Sequence, residues 1–137
     1  MKGHFVFDDT EFELQFENGT LSPKLFSHEA HLRLAWIHIK KYGEVFAINA
    51  ISDQLRAYTQ EHGAPEKFNM TLTVAAVKAV SHFYHKSKSR DFRGFMTEFP
   101  RLKSHFKDLM AAHYSFDIYN LPEAKTKFLA PDLHPFE

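Results

Sequence analysis

SHEAHLRLAWIHIKKYGEVFAINAISDQLRAYTQEHG, residues 27–63, is the stretch whose reading decides the fold. It reads as two amphipathic helices joined through a single residue. Ser27 is a natural N-cap, and Leu32, Ala35, Trp36 and Ile39 recur at three- and four-residue steps, so one face of a helix from His28 to about Tyr42 is apolar. Gly43 closes it. A second helix follows at once, from Glu44 to about His62, with Ile48, Ile51, Leu55 and Tyr58 along one face and Gly63 as its stop.

Reading outward keeps the helical pattern. After GAPEKF, Asn69 or Thr71 caps a helix that reaches about Lys86 through Leu72, Ala76, Val80 and Phe83. Upstream, Asp8 or Asp9 caps a short helix in TEFELQFE that stops at Asn18-Gly19, although the alternation of Phe12, Leu14 and Phe16 would equally suit a strand. Downstream, helices fit DFRGFMTEF and, after Pro100, RLKSHFKDLMAAHY, since proline is tolerated in a first helical turn. The tail, YNLPEAKTKFLAPDLHPFE, carries three prolines and reads as a strap with one helical turn at PEAKTKF. The fold expected is an all-α, irregular or orthogonal bundle of five to six helices with an irregular C-terminal strap. It forms one domain over residues 1–137.

The totals agree with a packed domain. Hydrophobic residues make up 44% of the 137, and fifteen phenylalanines supply ample area for burial. There is no cysteine, which removes disulfides, thiolate ligands and cysteine nucleophiles together. MKGHFVFDDTEFE turns acidic where a secretory peptide needs its apolar run, and no stretch approaches a membrane span, so a soluble cytoplasmic protein is expected. Lys and Arg balance Asp and Glu at 17 each, with a net −3 in residues 1–69 offset by +3 in residues 70–137. The densest basic run, KSKSRDFR at 86–93, contains Lys86, Lys88, Arg90 and Arg93. It lacks the larger basic excess and the base-reading elements of most nucleic-acid binders and suits a solvated helix end better. No G-x-S-x-G elbow appears, and the five glycines are scattered, so serine-hydrolase chemistry and phosphate-cradling loops have no support.

Histidine is where chemistry would sit. At about 100° per residue, His28 falls near the centre of the apolar face of its helix, with His31 and His38 on a flank beside Tyr42. A histidine on an apolar face needs a hydrogen-bond partner or a metal. His28 and His31 are three apart, so both rings project toward one region and could share a divalent ion, but H-E-A-H is not the H-E-x-x-H of zinc proteases. His82 and His85 share that spacing yet fall opposite the apolar face. His4, His62 and His134 lie near element ends, where surface roles are expected.

The run FENGTLSPKLFSHEAHLRLAW, residues 16–36, resembles a family of small, uncharacterised bacterial helical proteins with the pattern F-E-x-G-x-L-x-x-x-x-F-x-H-x-x-H-L-x-x-A-W. The likeness extends to FNMTLT at 68–73, where that family shows a T-x-T helix start, and to HYSFDIY and AKTKFLAPDLHPF near the end. It implies a helical fold and a common site at Glu17, His28, His31, Thr71 and Thr73, without naming an activity. Asn69 stands where the pattern has a third histidine, and an amide is a poor transition-metal ligand, so a metal site implied by the pattern would be incomplete here.

Two functional readings follow. In the first, the chain binds a small ligand or a metal in a pocket where the start of the His28 helix meets the start of the Asn69 helix. Free N–H groups there favour an anion, with His28 and His31 as acid, base or ligand and Glu17 as orienting partner. Asn69, Thr71 and Thr73 complete that candidate set, and the reading leaves open whether hydrolytic or redox chemistry takes place. In the second, the protein is a non-enzymatic interaction or self-association module, because its aromatic content exceeds what a small bundle is expected to hide.

Overall fold

Three of the four longest helices among the described residues start where a short polar side chain satisfies a free amide. The computed structural model describes residues 3–136. Asp8 caps α1 (Asp9–Glu17), accepting from the Glu11 amide at 2.8 Å. Ser27 caps α2 (His28–Tyr42), accepting from Ala30 N at 3.2 Å, and Asn69 caps α4 (Met70–Tyr84), accepting from Leu72 N at 2.9 Å. Between them, α3 (Glu44–Glu61) begins directly after Gly43, whose φ of 88° turns the chain back in one residue. Gly43 thereby serves both as the C-cap of α2 and as the N-cap of α3. The alternation in TEFELQFE resolves as helix because Phe12 and Phe16, four apart, both enter the core while Leu14 stays exposed.

Four shorter helices complete the order: α5 (Phe92–Glu98), α6 (Arg101–Ser104), α7 (Phe106–His113) and α8 (Pro122–Thr126), with 3-10 turns at Gly3–Val6, Pro23–Leu25 and Pro65–Lys67. No strand occurs among the described residues. The helix expected after Pro100 is split in two at His105. In an unbroken helix the Leu102 carbonyl would accept from the amide of Phe106. Here it accepts from the His28 ring at 3.0 Å instead.

Helices α2, α3 and α4 pack pairwise on one another and form the centre, with α1 against α2 and α3, α6 against α2, and α8 against α4. Trp36, Phe12, Phe16, Phe95, Leu32, Leu102 and Met110 are fully buried in one continuous core. Of the aromatic residues expected to spill onto the surface, only Tyr42 and Phe46 are exposed. The short turns and the strap cover the rest, because they add apolar surface outside the three long helices. No described helix is long and apolar enough to cross a membrane.

Candidate functional site

The N-terminal turns of α2 and α4, with the facing sides of α3 and α7, leave a cavity of about 330 Å³. Leu32, Leu55, Leu72, Val77 and Phe106 make its walls mostly apolar. The polar residues around it are His28, His31, Lys67, Asn69, Thr73 and Tyr119. Its volume lies at the lower end of the range for small-molecule sites.

His31 is the unpartnered imidazole of this set. Its ring stacks on Phe26, with centroids 3.9 Å apart and planes 18° from parallel, and neither ring nitrogen has a protein partner among the described residues. His31 is exposed, yet protein surrounds it closely and its accessible surface faces the cavity. Burial, and secondly the neighbouring His28, lower its pKa to about 4, so the ring is neutral at physiological pH. A neutral imidazole offers one N–H donor and one nitrogen acceptor.

His28 is tethered. Its Nε2 donates to the Leu102 carbonyl at 3.0 Å, which fixes the proton there and leaves Nδ1 as an acceptor in the neutral ring, and its edge meets Phe106 at 4.8 Å. The wheel placed it at the centre of the buried face, but it is exposed at the first turn, where the helix emerges beside the cavity. That buried position belongs to His38, only 1% exposed, whose Nδ1 donates to Leu34 O at 2.9 Å. Burial lowers its pKa. The apolar face of α2 is wider than the stripe of four residues suggested, because α1 and the N-terminal turn cover the flank.

Asn69 and Thr73 line the cavity with their principal polar atoms already engaged. Asn69 Nδ2 donates to Ile118 O at 2.7 Å while Oδ1 caps α4, and Thr73 Oγ1 donates to Asn69 O at 2.7 Å. Thr71 and Glu17 do not line the cavity. Thr71, fully buried, donates to Lys127 O at 2.7 Å and accepts from Leu129 N at 3.0 Å, so it fastens the strap to α4. Glu17 is exposed at the end of α1, because its neighbour Phe16 turns inward, and its charge slightly favours protonated His38.

Three lining residues escape a linear reading. Lys67 comes from the turn before Asn69, Phe106 from α7, and Tyr119 from a loop ordered by Asp117, whose Oδ1 accepts from Tyr119 N at 2.9 Å. The Asp117 to Asn120 turn chemistry is the only local signal for that loop. The Tyr119 hydroxyl is buried and unpartnered, and burial raises its pKa.

For a metal, the site offers two imidazoles and no third ligand. No group of three or more His, Asp or Glu side chains is placed to hold an ion among the described residues. Asn69 does not fill the gap.

His4, expected at the surface, is 3% exposed. Its Nε2 donates to Glu29 Oε1 at 2.9 Å, and its Nδ1 accepts from Arg33 Nη1 at 3.2 Å. Arg33 also donates to the carbonyls of His4 and Phe7 and to Asp9. The run at 86–93 folds around Glu98, which accepts from Ser87, Ser89 and the Lys88 amide, while Arg93 lies 3.9 Å over the Phe5 ring. No family model matches the chain, and comparison with curated proteins and with solved structures gives no match.

Proposed function

We propose that this protein binds a small, largely apolar molecule carrying one hydrogen-bonding group in the cavity between α2, α3, α4 and α7. The observation that carries the reading is His31: a neutral imidazole with no protein partner, stacked on Phe26 and open to an apolar hollow. His28, oriented by Leu102 O, presents Nδ1 as a second acceptor at the same helix end. The resemblance of residues 16–36 to the bacterial family with the F-x-H-x-x-H pattern belongs to this reading, since both histidines of the pattern line the cavity. A divalent ion on His28 and His31 would need its remaining ligands from water or a bound molecule.

The test is a titration with 1-octanol, a neutral probe, followed by imidazole NMR. Saturable shifts of the His31 ring signals, lost in Leu72→Trp where the indole fills the hollow, are expected; unchanged His31 signals at saturating octanol would reject the reading. Elemental analysis of untagged protein separates the metal alternative. Stoichiometric zinc, iron or nickel absent from a His28→Ala, His31→Ala variant would replace an organic ligand with an ion.

A second reading rests on a different surface. Val45 and Phe46 are 74% and 54% exposed at the α2–α3 corner, with Tyr42 beside them, and an apolar patch of this kind suits self-association. A solution mass above 16.0 kDa that Phe46→Ser returns to the monomer value would support it.

A further inference from the structure

The cavity has a sign. No carboxylate lies in its lining, and the one lysine there, Lys67, stands exposed with its ammonium in no ion pair or hydrogen bond among the described residues. Other cations are held by carboxylates, Lys41 by Glu13, Lys78 by Glu44, Lys103 by Glu29, Lys127 by Glu123, Arg33 by Asp9 and Arg56 by Asp53. Lys24, Lys86, Lys88, Arg90 and Arg101 also lack such a partner among the described residues, so what sets Lys67 apart is its place in the cavity lining. A cation left alone at the edge of an apolar hollow favours an anion entering it, since low-dielectric walls strengthen its field.

A second hollow, of about 370 Å³, adjoins the first across His28, Phe106 and Tyr119. Lys103, Lys107 and Asp108 also line it, but Lys103 is paired with Glu29 and one lysine is left against one carboxylate, so this hollow is close to neutral and does not oppose an anion in the first. Tyr119 lines both, and its buried, unpartnered hydroxyl brings no negative charge while it stays protonated.

The geometry points to an amphiphilic monoanion as the ligand, its apolar body in the cavity and its carboxylate at the rim, with Lys67 as the residue that selects it. This rests on the cavity being a binding site, as proposed above, and adds the ligand's chemical class. A cavity of about 330 Å³ suits a medium-chain or aryl carboxylate and is too small for a dinucleotide. An anion at the rim leaves His31 to contact the body of the ligand or a second polar group along it, consistent with the ring being neutral.

The experiment compares octanoate, 1-octanol and octylammonium by calorimetry at low salt, using the full chain and its Lys67→Ala and Lys67→Glu variants. The exposed Lys67 side chain makes no hydrogen bond or ion pair among the described residues, so both variants are expected to fold. The parent should bind octanoate about tenfold more tightly than octanol, the scale of one charge-assisted hydrogen bond. Lys67→Ala should bring the two within about twofold, and Lys67→Glu should place octylammonium first. Equal binding of octanoate and octanol by the parent, or a preference that survives Lys67→Ala, would overturn the assignment while leaving the cavity as a site for neutral ligands. Binding of none of the three probes would overturn both.

Discussion

At the scale of single residues, desolvation has moved four histidines in one direction. His4, His31, His38 and His82 all have pKa values lowered from 6.5, with desolvation the largest cause in each, and His31 reaches about 4. For His4 the geometry enforces the same result: a protonated Nδ1 would face the Arg33 guanidinium, which has no acceptor to offer. For these groups the folded state binds fewer protons than the unfolded chain in the window between the lowered folded pKa and 6.5. The stability they contribute is complete above about pH 6.5 and is lost as the pH falls through that window, which for His31 reaches down to about 4. Urea midpoints measured from pH 7.5 to 4.5 should fall steadily through that window. His31→Gln, which cannot titrate, should flatten the slope, and an unchanged slope would mean that His31 is protonated in the fold.

At the scale of elements, the N-terminal turn is held on α2 by one side chain. Arg33 is 3% exposed and donates to two carbonyls and to Asp9, and its guanidinium also lies over the Phe12 ring at 4.7 Å. Its planar fork serves several acceptors that one ammonium cannot reach together. Arg33→Ala should cost about 2–4 kcal/mol in urea denaturation, on the scale of a broken buried network, and Arg33→Lys should recover less than half of that. Hydrogen exchange should show the loss first at the Phe7 amide, which closes the turn by donating to His4 O. Rescue by lysine would show that charge, rather than the fork, holds the segment.

At the scale of the whole molecule, the cavity is one of several hollows of about 330 to 440 Å³, set apart by its Leu, Ile and Val walls and its two histidines. Close packing is the rule for apolar side chains, so filling that wall tests whether the space is used. Ala76, half-buried in the wall, is a position from which it can be filled. Ala76→Leu is expected to keep or raise the Tm, since added apolar area is buried without displacing a neighbour, and to weaken octanol binding at least tenfold. A drop in Tm of several degrees would mean that the wall at α4 cannot give, and unchanged octanol binding would place the ligand elsewhere.

The same scales separate what was legible in the chain from what was not. Ser27, Gly43, Gly63, Asn69 and the apolar periodicity by themselves determined the all-α class and the limits of α2, α3 and α4, because caps and helix faces are local, set by residues three or four apart. They also singled out His28 and His31, since one helical turn brings both rings to the same end. Which histidine is buried was decided by what packs on α2 from elsewhere. The N-terminal turn encloses His4, the flank of α2 hides His38, and the break at His105 turns the Leu102 carbonyl toward His28. Lys67, Phe106 and Tyr119 join the cavity, and Glu17 and Thr71 leave it, for the same reason: a site assembled from several elements depends on contacts between residues as much as 74 positions apart, as His28 and Leu102 are, and no local pattern encodes such contacts.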